Sequence, residues 1–375
     1  MRALVITPTP THPTNQGNRA RVTQIASALK QAGAQVEVLY FAIDGLEDGS
    51  VQAMREAWDT VYIVAADGFV PRRKNPSYWG LDEWVSPQLV QAVRFLADSK
   101  HYDVVVVNYV WCSALLPIFD SQTTLRVLDT HDAFGDRHKL SRAAGIAPHW
   151  FYTTVAEEAR GLDRADLVLA IQEEEGAYFR KNTRVPVEVV EYSAPTQYLA
   201  WHPTGRTKFG YIGSANPWNL ESVRAFDKLL FEDPLADALR NKADFLLFGG
   251  ITKKIGRLDV FHSMGTVADV KDAYAAMDVV INPMLGGTGL KIKTVEALAY
   301  GRPIIATQAG GAGLEEIHAD LQHDSLEAVY QRLKYLADQP KEVFVVKTQM
   351  QQNYQEFSKR IQEKTIIALT RRINA

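Results

Sequence analysis

The chain has a single cysteine, Cys112, among its 375 residues, so no intrachain disulfide can form, which fits a reducing compartment. Long hydrophobic runs are missing as well. No apolar stretch is long enough to span a bilayer, which excludes a helical membrane-spanning protein and leaves peripheral membrane contact open. Positive charge is not in excess. The net charge is −3 and the isoelectric point about 6.3, which argues against a dedicated nucleic-acid binder. The N-terminal stretch Met1 to Pro8 is too short for a signal peptide and ends in turn residues, so a cytoplasmic location is expected. No Gly-x-Gly-x-x-Gly follows the first apolar run, so a nicotinamide or flavin site is disfavoured there. No Asp-x-Asp pair sits in a suitable loop, and neither a metal nor another cofactor is expected. Short repeats and low-complexity tracts are lacking too.

What is present is an ordinary soluble composition, 46% hydrophobic and 23% charged, with length enough for two domains. Strand and helix patterns alternate. Ala3 to Ile6 and Val36 to Phe41 read as strands. Between them Val22, Ile25, Ala26 and Leu29 share one face of a helix that Gly33 ends. Val61 to Ala65, Asp103 to Asn108 and Leu125 to Leu128 are further strands. Ser86-Pro87 reads as the cap and first turn of a helix through about Ser99. A helix over about Pro148 to Arg164 leads to the strand Leu167 to Ile171, the helix Glu173 to Arg180 and the strand Val187 to Val190. The stretch Ser193 to Arg206 has no strong period and reads as a linker. Alternation then restarts, with strands at Phe209 to Ile212, Phe245 to Phe248, Asp278 to Pro283 and Ile304 to Thr307. Helices are expected over about Asn219 to Leu230 and Val270 to Met277. Repeated alternation in both halves implies two mostly parallel sheets with right-handed crossovers. The expected division is residues 1–195, 205–340 and a helical segment 341–375.

One stretch carries most of the chemistry. Gly286-Gly287-Thr288-Gly289-Leu290-Lys291-Ile292-Lys293 runs into a helix bearing Glu296 and stopping at Gly301, before Arg302-Pro303 and a new strand. Glycines let a ligand approach the backbone, and the first-turn N–H groups and helix dipole favour an anion. Lysines add point charges. A carboxylate about a turn further on can accept two hydrogen bonds from a sugar diol. Phosphate at the helix mouth with a ribose beside it describes a nucleoside diphosphate. A second constellation, Asp129-Thr130-His131-Asp132, follows a strand. A histidine flanked by two carboxylates can be oriented and its charge tuned. A third, Arg72-Arg73-Lys74 with Tyr78, Trp79 and Trp84, mixes basic and aromatic residues. It reads either as a solvated loop with core tryptophans or as a contact for an acidic glycolipid or lipid surface.

The run from Pro283 through Thr307 (strand, glycine-rich turn, lysine, Glu296, then Ala297-Leu298-Ala299-Tyr300-Gly301-Arg302-Pro303 and a strand) resembles the GT-B glycosyltransferases, and more closely their retaining family 4 group. Ile6 through Leu29, with Gly17, Asn18, Arg19 and Arg21, is similar to the opening of that family's first domain. Phe209 to Ser214, the run Gly265-Thr266-Val267 with Tyr274 and Asp278, and Arg164 to Ile171 match other family segments. Two departures stand out. Thr288 occupies the place of the first Glu in the family's Glu-x7-Glu pattern, and Ser214, Asn216, Trp218 and Asn219 stand where an Arg and a Lys are usual.

The resemblance implies an α/β protein of two Rossmann-like domains facing across a cleft, with the C-terminal helix packing back on the first. It implies transfer of a sugar from a nucleotide-diphosphate sugar to an acceptor hydroxyl, with retention, in cell-surface polysaccharide or glycoconjugate synthesis. The acceptor would be a saccharide, a lipid-linked molecule or a protein. Lys291 and Lys293 would stabilise the leaving diphosphate, and His131 would hydrogen-bond a sugar hydroxyl. Gly17, Arg19, Arg21, Gly213, Gly287, Thr288, Gly289, Leu290 and Glu296 would bind the nucleotide or substrate. A nucleotide-sugar epimerase of the same plan and a non-catalytic partner subunit are the alternatives.

Overall fold

Continuous apolar runs such as Val104 to Val107 need cover on both faces, and parallel strands with crossover helices supply it. In the computed structural model the chain forms two α/β units, one of Met1–Tyr192 with Ile361–Ala375, the other of Ser193–Arg360. The structure describes all residues except 15, 144–147, 149, 203–204, 234–235, 287–290 and 372–375.

The first unit contains strands β1 (Arg2–Thr7), β2 (Gln35–Ala42), β3 (Thr60–Ala65), β4 (Val104–Asn108), β5 (Leu125–Asp129), β6 (Leu167–Ala170) and β7 (Val187–Val189). They pair in parallel in the order β3-β2-β1-β4-β5-β6-β7. Ile6 of β1 sits between Leu39 and Val107, and the order reverses beside β1. Ligands of open α/β sheets bind at the carboxyl ends of strands near such a reversal. The helices are α1 (Gly17–Gln31), α2 (Asp48–Ala57), α3 (Pro87–Ser99), α4 (Arg137–Ala143), α5 (Val155–Leu162) and α6 (Glu173–Asn182). α1 buries Val22, Ile25, Ala26 and Leu29 and is followed by Gly33 at φ +82°. Ser86 caps α3, accepting from the Leu89 amide at 3.1 Å, with Pro87 in the first turn.

The helix expected over Pro148 to Arg164 is shorter. It begins at Val155, capped by Thr154, and ends at Leu162. The preceding residues are claimed by another loop: the Thr153 amide donates to Phe134 O at 3.2 Å and Thr153 O accepts from Asp136 N at 2.8 Å. Backbone paired to a distant segment cannot also pair within a helix.

The second unit holds β8 (Thr207–Ile212), β9 (Ala243–Phe248), β10 (Phe261–Gly265), β11 (Val279–Asn282) and β12 (Ile304–Ala306), parallel in the order β10-β9-β8-β11-β12. Its helices are α7 (Pro217–Glu232), α8 (Ala236–Arg240), α9 (Val270–Ala275), α10 (Ile292–Ala299), α11 (Gln308–Gly311), α12 (Leu326–Asp338) and the long α13 (Pro340–Thr370). The edge strand β10 had no sequence signal, because His262, Ser263 and Met264 are all exposed.

The expected linker belongs to the second unit. The Gln197 amide donates to Ala299 O at 2.8 Å, the Leu199 amide to Tyr300 O at 3.0 Å, and Trp201 Nε1 to Asp278 Oδ1 at 2.9 Å. The helical segment 341–375 is not a separate piece either. α13 is grouped with the second unit to Arg360 and with the first from Ile361, where Arg371 donates to Asp166 O at 3.0 Å. Among the described residues no helix is long and apolar enough to cross a membrane.

Glycine geometry closes the carboxyl end of the second sheet. Gly249 has φ +93°, and a Cβ there would stand 2.5 Å from Gly213 O. Gly249→Ala is expected to destabilise the protein by roughly 1–3 kcal/mol, the usual cost of such backbone strain. Gly250→Ala, where a Cβ meets nothing within 4 Å, should change stability little. Urea denaturation of both variants checks this, and equal midpoints would refute the close approach.

Candidate active site

The two sets of candidate residues lie in different units, each at the carboxyl ends of its strands. In the second unit β11 ends at Asn282 and α10 begins at Ile292. Gly287, Thr288, Gly289 and Leu290, expected to contact the nucleotide, lie outside the described residues. Lys291 is the residue before the first turn of α10, and it is buried. No acidic side chain occupies that turn, so nothing there offsets the positive end of the helix dipole.

Lys293 is held on two sides. Its Nζ donates to Asn219 Oδ1 at 2.8 Å and to the Tyr211 hydroxyl, and it lies 4.4 Å from the Tyr211 ring centroid. Burial and the neighbouring Lys291 charge push its amine down to about 7. Burial pushes the Lys291 amine down as well. Burial drives the Glu296 carboxyl up to about 7, opposed by a 2.9 Å hydrogen bond from the Tyr274 hydroxyl and by the charge of Lys293. Two groups that are normally fully charged are therefore poised near neutrality. A diphosphate would draw a proton onto the lysine, and a ribose diol would favour the carboxylate.

Gly213 follows β8 and acts here by leaving space. A Cβ would stand 2.8 Å from the Tyr211 ring and 3.1 Å from Asn219 Nδ2, the residues that hold Lys293. Asn219 is placed by the start of α7, where Asn216 Oδ1 accepts from the Asn219 amide at 2.8 Å, and Asn219 Nδ2 donates to Ser214 O at 2.9 Å. Tyr211, Asn219 and Tyr274 thus join the site although none was a sequence candidate. Asn219 stands where the family usually places a cation, and that departure was the available signal.

In the first unit the expected residues divide. Gly17 opens α1, and the side chain of the N-cap residue Gln16 does not cap that helix. Arg19 is buried, its Nε has no partner among the described residues, and its Nη1 lies 3.6 Å from Glu47 Oε2. Arg21, expected beside the nucleotide, is turned inward and fully buried. It grips Asp129 with Nε at 3.1 Å and Nη2 at 2.9 Å, and donates from Nη1 to Val190 O at 2.6 Å. Its guanidinium is spent on the protein. Bonds within the protein, to Asp129 and Val190 O, account for the donors of Arg21 in this structure.

His131 follows β5 with φ +64°, and Tyr109 follows β4 with φ +69°. Their rings stack at 4.1 Å between centroids. Asn108 fixes the imidazole. Its Nδ2 donates to Ile6 O at 3.0 Å, which leaves Oδ1 facing His131 Nε2 at 2.9 Å. Burial, with Arg21 adding to it and Asp129 opposing, lowers the His131 ring to about 4. It is therefore neutral at physiological pH, with its proton on Nε2 donated to Asn108. Nδ1 is left as the acceptor, with no partner among the described residues. A neutral imidazole with an open acceptor suits a hydroxyl group. Glu158 fixes the loop beyond, accepting from the amides of Phe134 at 2.7 Å and Gly135 at 2.9 Å. Half-buried Asp132 faces buried Glu175, and the Glu175 carboxyl is raised to about 8 by desolvation and by the charge of Asp132.

The comparisons with known proteins bear on this geometry. Residues 16–193 match the family described as glycosyl transferase 4-like domain, and residues 206–339 match glycosyl transferases group 1. Together these matches span most of the chain and both units. The chain belongs to the GT-B glycosyltransferases. No curated protein matches the sequence. Solved structures that it resembles include sucrose-phosphate synthase from Thermosynechococcus elongatus, at 16% identity and TM-score 0.67, covering 97% of each chain. Anabaena HepE in complex with UDP-glucose matches at 15% identity and TM-score 0.63, covering 97% of this chain and 98% of that one. S. aureus TarM, in complex with Fondaparinux, alpha-GlcNAc-glycerol and UDP, matches at 8% identity and TM-score 0.67, covering 98% of this chain and 99% of that one. This glycosyltransferase thus shares its fold with those enzymes along nearly its whole length.

Removing Arg21 leaves Asp129 as an uncompensated buried charge. Arg21→Gln is expected to destabilise the enzyme by about 3–5 kcal/mol. Arg180→Gln, which breaks only the exposed pair with Glu173, should cost about 1 kcal/mol or less. Chemical denaturation of the two variants decides, and similar losses would contradict the clamp.

Proposed function

We propose that the enzyme transfers a sugar from a nucleoside-diphosphate sugar to an acceptor hydroxyl, with retention of anomeric configuration and without a metal. The observation that carries this reading is the α10 cluster: Lys291 and Lys293 at the start of the helix and Glu296 about one turn in, each shifted toward neutrality by burial. Such a cluster is costly in the absence of a ligand and is compensated by an anion with a diol. The positive helix end and the lysines would stabilise the diphosphate as the glycosidic bond breaks, by a few kcal/mol per donor. The departing phosphate would accept the proton of the incoming hydroxyl, while Nδ1 of His131 accepts a hydrogen bond from a sugar hydroxyl. UDP and UDP-glucose bound to HepE make a uridine nucleotide the first donor to test. A saccharide acceptor accords with the ligands of TarM, and a role in cell-surface polysaccharide or glycoconjugate synthesis is the setting we infer.

The division of labour is testable with a thermal-shift panel of nucleotide sugars followed by transfer assays in EDTA. Glu296→Ala should abolish the shift given by the cognate nucleotide. His131→Ala should keep that shift and lose most transfer. Equal loss of nucleotide binding in both variants would defeat the assignment, and product of inverted anomeric configuration by NMR would defeat retention.

The pH dependence has a definite sign. Free Lys293 is depressed to about 7, so at pH about 8 it is largely neutral and Glu296 largely ionised. A bound diphosphate favours the charged amine. Binding should therefore take up close to one proton at pH about 8, and affinity should fall as pH rises above about 7. Titration calorimetry in buffers of different ionisation enthalpy measures this, and Lys293→Met should abolish the uptake. Binding without proton linkage in the wild type would show that Lys293 does not meet the phosphate.

A further inference from the structure

Aromatic rings run outward from His131 in an unbroken series. His131 stacks on Tyr109 at 4.1 Å, and Tyr109 stacks on Trp111 at 4.2 Å with planes 17° apart. Trp111 lies 6.4 Å from Trp150 and 5.7 Å from Trp84. Trp84 and Trp150 are parallel to within 7° at 6.5 Å, and Trp79 meets the edge of Trp84 at 5.4 Å. Tyr109 and Trp111 are buried and His131, Trp79 and Trp84 half-buried, whereas Trp150 is 52% exposed. A large flat ring stands open at the outer end of a rigid stack whose inner end is the candidate sugar-binding histidine.

Backbone strain marks the same residues. Among the described residues four that are not glycine have positive φ: Tyr109, His131, Asp136 and Trp150. Three of them carry rings of this series, and the fourth lies in the loop following His131. A bulky side chain in the left-handed region costs free energy, and such residues cluster where a site requires them. At Trp150 the strained backbone accompanies exposure of the ring, the reverse of what core packing alone would select.

We propose that Trp150, backed by Trp84 and Trp111, is a stacking platform for a saccharide acceptor of two or more rings, whose reacting end lies at His131. The argument rests on the glycosyltransferase reading above. A pyranose presents a flat face of C–H groups to an aromatic ring and keeps its hydroxyls free at the edge. An exposed indole in line with the site offers that face, and the stack beneath it limits motion of the ring. Arg73 adds a polar rim. It lies over the rings of Trp79 at 5.7 Å and Tyr152 at 5.9 Å, and its guanidinium hydrogen-bonds the Tyr152 hydroxyl. A single sugar ring at His131 would not reach the platform, so affinity should rise with acceptor length. Trp150 is a specificity-determining residue in this scheme.

The test uses the full chain on an array of soluble oligosaccharides, with fluorescence titration of the hits. Wild type should bind a subset of chains of two or more rings and discriminate against the matching monosaccharides. Trp150→Ala should bind these about tenfold more weakly, the loss typical of truncating an aromatic anchor. Trp150→Phe should recover most of the affinity, because it restores the aromatic face. Nucleotide-sugar thermal shifts on the same samples keep the two claims separate. If wild type shows no shift with any nucleotide sugar, the glycosyltransferase reading of the site fails. If it shifts but binds no oligosaccharide, or if Trp150→Ala binds as wild type does, the platform alone is overturned. Sedimentation with anionic phospholipid vesicles that depends on Trp150, without saccharide binding, assigns the ring to a lipid surface and also overturns it.

Discussion

The ion pair between Arg21 and Asp129 anchors the carboxyl end of the first sheet. Both side chains are buried, and the guanidinium also satisfies Val190 O, so one group joins α1 to the ends of β5 and β7. Burial of two charges is costly, and the pair repays that cost only when its geometry is good and its remaining donors are used. Here several are used at once. The consequence reaches His131, two residues after Asp129. The cation beside Asp129 and the burial of the ring outweigh the pull of the carboxylate, and the imidazole stays neutral. A lone aspartate at that depth would have favoured imidazolium and removed the open acceptor on Nδ1.

The second unit prepares its chemistry differently. Here the partners of Lys293 and Glu296 are neutral groups. Lys293 leans on the neutral hydroxyl of Tyr211 and the amide oxygen of Asn219, and Glu296 on the hydroxyl of Tyr274. Neutral partners orient an ionisable group without satisfying its charge, and both groups then drift toward neutrality under burial. The groups are held in position by neutral partners, and the anionic ligand with hydroxyls that we propose would complete the site. In one unit a full ion pair fixes a neutral histidine, and in the other neutral partners fix two chargeable groups.

Most strands were legible because each is a continuous apolar run bounded by turn residues, as at Val104 to Asn108 and Val279 to Asn282. α3 was legible from a single serine and proline. Signals failed where a distant segment competed. Residues after Pro148 look helical by period, yet Thr153 pairs with the loop at Gly135, and the helix waits until Thr154 can cap it. β10 is an exposed edge held by backbone pairing to β9, which no side-chain period reports. For the site, Lys293 and Glu296 were legible from spacing along one helix. The partners Tyr211, Asn219 and Tyr274 come from three other elements, and their convergence is a property of the fold. Arg21 illustrates the limit most clearly. An arginine near a helix start is equally good for a phosphate and for a buried aspartate 108 positions away, and local sequence cannot tell the two apart.

Strain explains why the aromatic series is more than packing. A cluster of tryptophans could be accommodated in ordinary backbone, with every ring buried and every φ negative. Instead Tyr109 and His131 take left-handed conformations directly after neighbouring parallel strands, which brings their rings face to face. The hydrogen bonds at that edge hold them: the Tyr109 amide donates to Asp129 O at 2.8 Å, and the Thr130 amide to Leu169 O at 3.2 Å. Because Asp129 is itself gripped by Arg21, the strained pair is fixed by the same ion pair that sets the charge of the histidine. A substitution at Arg21 would therefore disturb the orientation, the protonation and the ring stacking of His131 together, through one buried contact.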